Sequence, residues 1–355
     1  MKILLVRLRQ IGDVVFTTPV FAALRHHFPD AHLTYVVEPA AAPVVSGNPD
    51  LADVIVAPRG SGMRGLLADV ALGRQLARQH FDVALDFHGG PRASLLTWLS
   101  RAPRRIGYAI PGRAWMYTEQ VHRAKELRPR HSVENQWDLL TALGVPAPDR
   151  ARYPVVMPVD EGSAASVRQR LADHDVPGDA RLAVLHVSAG NPFRRWPVAS
   201  FAEVAAALAG SSPNVRVIVT SGPSEAEAAA RVITAAREQL GTDAKARVLQ
   251  CGEFTLGELR ALVETASVYI GGDSGPMHIA ATSRVPMVSL YGPTLPARSE
   301  PWRDPILPAI PVEVDGLACR PCDQRVCEPG DFRCLGRIAP RQVIDAALRL
   351  IGRTG

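Results

Sequence analysis

Several residues in this chain have types and spacings that could do chemistry. Val268-Tyr269-Ile270 runs into Gly271-Gly272-Asp273-Ser274-Gly275-Pro276-Met277-His278, an apolar stretch that stops at two glycines before a helix start signal. The pattern reads as strand, tight turn and helix N-terminus, where unpaired backbone N–H groups suit a diphosphate and glycines admit a ligand close to the main chain. Asn191-Pro192-Phe193-Arg194-Arg195-Trp196-Pro197 supplies a cation. One of its two arginines is expected to point inward, hold a phosphate leaving group and neutralise its growing charge, work that a metal ion would otherwise do. Asp13, in the loop Arg9-Gln10-Ile11-Gly12-Asp13, is either the cap of the following helix or a general base for a hydroxyl. Ser274 is not read as a nucleophile, because Pro276 stands where G-x-S-x-G needs its second glycine.

Other candidates carry plainer alternatives. His278, four residues past Ser274, sits on one helix face with it and would donate to a phosphate or sugar oxygen, or simply pack. His186 reads only as packed. Asp173-His174-Asp175 has the D-x-D form of metal-dependent sugar transferases but lies in a polar stretch rather than after a strand. Cys319, Cys322, Cys327 and Cys334 give C-x2-C-x4-C-x6-C, with Cys251 apart. Four thiols so spaced in a cytoplasmic chain suggest a structural zinc or iron, against free thiols or occasional disulfides.

These residues need elements to carry them. Lys2–Val6 is a buried strand by its continuous apolar run, followed by a helix over 14–27 that Pro19 bends or restarts. Strands over 32–37, 54–56 and 81–86 alternate with helices over 63–79 and 93–100, which implies a parallel, doubly wound sheet. Between about Gly107 and Val159 the alternation fades. A second cycle then brings strands over 182–187, 215–219, 246–249, 268–272 and 286–290 with helices over 198–209, 224–240 and 256–264. The expected architecture is α/β, two Rossmann-like domains over 1–159 and 160–355, the second ending in the cysteine segment and a C-terminal helix. Asp13 and Asp273 are expected to face the cleft between them.

At 355 residues, 47% hydrophobic and 21% charged, the chain is long enough for two cores and too apolar to be disordered. No apolar run approaches the roughly eighteen residues of a membrane span, and the first, Ile3–Val6, is too short for a signal-peptide core, so a cytoplasmic location is expected. The charge is uneven: residues 1–160 hold 19 basic and 14 acidic side chains, residues 161–355 hold 21 of each. Nine basic residues between Arg92 and Arg130 face only Glu119 and Glu126, a local field for an anionic partner, with Trp98, Tyr108, Trp115 and Tyr117 among them. The alternative is a solvated arginine-rich surface, since 37 of the 40 basic residues are arginine.

Ile11-Gly12-Asp13 with Thr17-Thr18-Pro19, Arg195-Trp196-Pro197 and Gly272 to Ala281 together resemble glycosyltransferase family 9, the ADP-heptose:lipopolysaccharide heptosyltransferases, over Lys2 to about Gly292. The resemblance implies a GT-B fold and inverting, metal-independent transfer of a heptose from ADP-heptose to the inner core of lipopolysaccharide. It makes Asp13 the base and puts Gly272, Asp273, Ser274, Gly275, Met277 and His278 in the donor motif. Arg194 stands where the family commonly has a lysine, and Glu225 matches an acidic donor contact more weakly. The cysteine tail is similar to that of many members. The basic segment would take the anionic acceptor at the inner membrane surface, as a peripheral contact, and no nucleic-acid partner is expected. Alternatives are a family member acting on a protein or another surface polysaccharide, or a non-catalytic nucleotide- or nucleic-acid-binding protein.

Overall fold

The computed structural model describes residues 1–122, 130–188 and 191–353. Contacts divide the chain into two units, residues 1–158 with 302–304, and residues 159–301 with 305–355.

The first unit holds β1 (Lys2–Val6), β2 (His32–Val37), β3 (Asp53–Val56), β4 (Val83–Asp86), β5 (Arg104–Tyr108) and β6 (Glu119–Val121) in the order β3-β2-β1-β4-β5-β6, every pair parallel. Ile3 to Val6 are fully buried, as a central parallel strand covered on both faces requires. Leu72 and Leu76 from the helix Gly62–Ala77 and Leu96 from the helix Pro91–Leu99 pack with Leu4, Val6 and Val36. The helix expected over 14–27 forms as two, Ile11–Val15 and Thr18–His27, with Pro19 in the first turn of the second.

The second unit holds β7 (Arg181–Val187), β8 (Val215–Ser221), β9 (Val248–Leu249), β10 (Val268–Gly272), β11 (Met287–Tyr291) and β12 (Ala309–Glu313) in the order β12-β11-β10-β7-β8-β9, again all parallel. Counted within its own unit this is the same order as the first sheet. Each sheet therefore reverses direction once, between β1 and β4 and between β7 and β10, and a crevice at the carboxyl ends of the strands is the usual ligand site at such a point. The helices Val198–Ser211 and Pro340–Arg353 cover one face, where Phe201, Leu208, Val343 and Leu350 meet Leu185 and Ile270.

Several elements were not expected. β5 runs into the stretch where the alternation seemed to fade, and β6 and the helix Ser132–Thr141 lie within it. The helix is opened by His131, whose Nδ1 accepts from Val133 N at 3.1 Å while Glu134 accepts from His131 N at 2.9 Å, a capping box built on an unusual N-cap residue. β12 contains Pro311, which an edge strand tolerates.

Candidate functional site

In the second unit the loop after β7 and the turn after β10 meet at the switch point. Asp273, directly after β10, is buried; Thr294 donates its hydroxyl to Oδ2 and His278 Nε2 lies 3.5 Å from Oδ1. Arg194 closes the 3-10 turn Pro192–Arg194, whose start is held by the Asn191 side chain accepting from Phe193 N at 3.0 Å. Its Nη1 donates to the Asp273 carbonyl at 2.9 Å and lies 3.3 Å from Oδ2. Burial by itself would raise the Asp273 carboxyl, but the His278 hydrogen bond, the Arg194 and His278 charges and the Thr294 hydroxyl outweigh it and hold it at about 2. Asp273 therefore stays charged and anchors Arg194.

The rest of the motif sorts by exposure. Ser274 Oγ lies 3.3 Å from Ser188 Oγ and caps nothing, and no side chain among the described residues accepts from the first N–H groups of the helix Gly275–Ala280. Gly272 is open enough that a Cβ there would stand 3.6 Å from Ser188 Oγ and 3.8 Å from the Arg194 carbonyl. His278 is buried against Asp273, and Met277 is fully buried, so Met277 can reach a ligand only through its main chain. His186 is packed, as expected, with Nδ1 2.9 Å from Thr220 Oγ1.

A cavity of about 520 Å³ adjoins this turn, lined among others by Ser188, Arg195, Trp196, Glu225, Arg231 and Phe332. Its size suits a nucleoside. Glu225 sits in the 3-10 turn Pro223–Glu225 after β8, its carboxylate accepting from Ser224 Oγ at 2.6 Å, and a carboxylate in such a place suits ribose hydroxyls. Trp196 is buried, its Nε1 donating to the Ile338 carbonyl at 3.2 Å, which fixes the wall between cavity and core. Arg195 is exposed and lines the cavity.

In the first unit Asp13 follows β1 at the other switch point. It caps nothing: the helix Ile11–Val15 starts after Gln10, and Asp13 stands in its first turn with a side chain 37% exposed and ion-paired to Arg7 Nη2. Arg7, nearly buried, also donates through Nη1 to the Phe87 carbonyl beyond β4. The Asp13 carbonyl accepts from Thr17 Oγ1 at 2.8 Å and Gln136 Nε2 at 3.2 Å. The neighbouring carboxylate Asp86 is closed instead. It accepts from His88 N, Gly89 N, Ser94 and Tyr117, the last at 2.6 Å, and burial still raises its pKa.

The family model for glycosyltransferase family 9 (heptosyltransferase) matches residues 70–328, well over half of the chain. The chain belongs to glycosyltransferase family 9. Lipopolysaccharide heptosyltransferase 3 of Escherichia coli (strain K12) is 27% identical over 308 residues, covering 84% of this chain and 85% of that protein. The family 9 glycosyl transferase structure from Veillonella parvula DSM 2008 matches with a TM-score of 0.84 at 25% identity, covering 99% of this chain and 97% of that one. The E. coli ADP-heptose lps heptosyltransferase II structure matches at 0.79 and 21% identity over 100% and 99% of the two chains. The chain is thus an enzyme, a glycosyltransferase of the GT-B type.

In this family 9 transferase the basic segment is less free than its composition suggests. Arg92 pairs with Glu38 and Asp69 at 2.8 Å each, Arg104 with Glu119 at 2.8 Å and Arg130 with Asp138 at 2.6 Å. Arg105 donates to the Met116 and Ala102 carbonyls. Trp98 and Trp115 form an exposed edge-to-face pair, ring centroids 5.6 Å apart. Arg123, Lys125, Glu126 and Arg128 lie outside the described residues.

The four cysteines expected to hold a structural zinc or iron lie in the segment 319–334, between β12 and the C-terminal helix. Burial is the largest influence on the Cys334 thiol and raises its pKa, with Cys322 and Cys319 close enough to add to the rise. Yet all five cysteines are free, and no three His, Cys, Asp or Glu side chains among the described residues converge to hold a metal. Asp173-His174-Asp175 ends the helix Glu161–Asp173 as a surface turn, with His174 bonded to the Arg170 and Gln250 carbonyls. No helix among the described residues is long and apolar enough to cross a membrane.

Proposed function

We propose that the enzyme moves a heptose from ADP-heptose to the inner core of lipopolysaccharide by inverting, metal-independent transfer. The observation that carries this reading is Arg194, fixed on buried Asp273 beside a nucleoside-sized cavity that Glu225 lines. In the second unit the cavity takes the nucleoside and Glu225 the ribose hydroxyls. Arg194 and the uncapped N–H groups after Ser274 take the diphosphate and stabilise its charge as the bond to the sugar breaks, so the cation the step needs comes from the chain. In the first unit Asp13 takes the proton of the acceptor hydroxyl as it attacks the anomeric carbon from the face opposite the leaving ADP. Trp98 and Trp115 suit the sugar rings of the acceptor, and with the arginines near them favour peripheral contact with an anionic inner-membrane surface. The names of the relatives, lipopolysaccharide heptosyltransferase 3 and ADP-heptose lps heptosyltransferase II, support the choice of donor and acceptor.

The test is mass spectrometry of lipopolysaccharide from cells lacking the protein, together with transfer assays on purified enzyme. A missing core heptose is expected, as is loss of transfer in Asp13→Asn by about a hundredfold or more while ADP still binds. Intact core sugars would move the reading to another acceptor, and full turnover by Asp13→Asn would remove Asp13 as the base.

A further inference from the structure

The cysteine-bearing loop carries one side chain into the donor site. Gln324, between Cys322 and Cys327, places its Oε1 2.8 Å from Arg194 Nε and 2.9 Å from Asn191 Nδ2. Both nitrogens donate, so one amide oxygen uses both lone pairs on the loop that presents Arg194. Asp273 already takes Arg194 Nη1. A guanidinium is planar, and fixing Nε and Nη1 fixes the plane and with it Nη2, which has no hydrogen bond among the described residues. A lysine ammonium has no second nitrogen for such a hold.

Two further observations tie the loop to this site. Gln324 adopts φ of +61°, a left-handed conformation that is unfavourable for a side-chain-bearing residue and that glycine adopts freely. The chain keeps a glutamine there. Arg320, at the start of the same loop, donates to the Thr294 carbonyl at 2.8 Å, and Thr294 in turn donates to Asp273. Phe332, near its end, meets Phe193 edge-to-face at 5.2 Å and lines the cavity.

We propose that Gln324 is a positioning residue for the donor diphosphate: it holds the Arg194 guanidinium in the orientation that binds phosphate oxygens. The proposal rests on the reading of Arg194 as the diphosphate clamp. The experiment is calorimetric titration of ADP into the full-length protein and into Gln324→Gly, Arg194→Ala and the double variant. Glycine suits the left-handed backbone, so Gln324→Gly removes the side chain without straining the loop, and its thermal midpoint is expected to match the parent. Gln324→Gly should weaken ADP about tenfold, Arg194→Ala at least as much, and the double variant no more than about twofold beyond Arg194→Ala, because the glutamine acts only through the arginine. Parental ADP affinity in Gln324→Gly alongside a weakened Arg194→Ala overturns the role of Gln324 alone. Independent, multiplying losses do the same. Unchanged affinity in Arg194→Ala overturns the clamp and this proposal with it.

Discussion

A carboxylate serves as a base only where it is aimed, so the proposed role of Asp13 depends on its ion pair with Arg7. Its guanidinium reaches Asp13 with one nitrogen and the Phe87 carbonyl with another, tying the loop after β1 to the end of β4. Arg7→Met keeps the buried stem and removes the tie. It should lower kcat for transfer by about tenfold or more while leaving ADP affinity unchanged, since the proposed donor residues lie in the other unit. Steady-state kinetics with ADP titration checks this, and an unchanged kcat would make the pair dispensable. Asp13 and Arg194 were readable because each stands in a compact local pattern. Arg7 was not, since Val6-Arg7-Leu8-Arg9 looks like any strand end. Gln324 was not either, because it lies 130 positions from the arginine it holds. The basic segment looked freer than it is for the same reason: Glu38 and Asp69, which pair with Arg92, and Asp138, which pairs with Arg130, all fall outside it.

The end of β10 holds two glycines that look alike in sequence. A Cβ at Gly271 would stand 2.7 Å from the Tyr269 hydroxyl and 3.0 Å from its ring, and Tyr269 is fully buried with no room to yield. A Cβ at Gly272 would make ordinary contacts with Ser188 and the Arg194 carbonyl. Gly271→Ala should therefore cost about 1–3 kcal/mol of stability by overpacking. Gly272→Ala should stay within about 0.5 kcal/mol of the parent yet weaken ADP, because its methyl stands beside the diphosphate residues. Urea denaturation with ADP titration distinguishes them, and the reverse pattern would put the ligand at the wrong glycine. The strand, turn and helix of this stretch were legible because an apolar run ends abruptly at Gly-Gly and a start signal follows. β5, β6 and β12 were not, because edge-ward strands are short, charged or proline-bearing, and their pairing is decided by the sheet rather than by their own pattern.

Both sheets share one strand order, and its central strands were visible as continuous apolar runs, one of which carries a packed histidine. His186 lies on β7 between β10 and β8, and burial holds its pKa down at about 4 against an ordinary 6.5. The unfolded chain accepts that proton near pH 6.5 and the folded chain only near pH 4. Between these values the unfolded state binds more protons, so stability falls as pH falls, by an amount on the order of 3 kcal/mol across the window. Asp273 adds a separate loss lower down, because its carboxyl, held at about 2 against an ordinary 3.8, protonates in the unfolded chain first. His186→Leu removes the upper window and leaves the lower. It costs some stability at every pH, since Thr220 loses its partner, so the informative quantity is the difference between two pH values. Hydrogen exchange of the β7 amides, corrected for intrinsic rates at pH 6.5 and 4.5, reads that difference for the second unit alone. The parent should lose most of the 3 kcal/mol between these points and His186→Leu little of it; equal losses would mean that the imidazole is not the group that titrates.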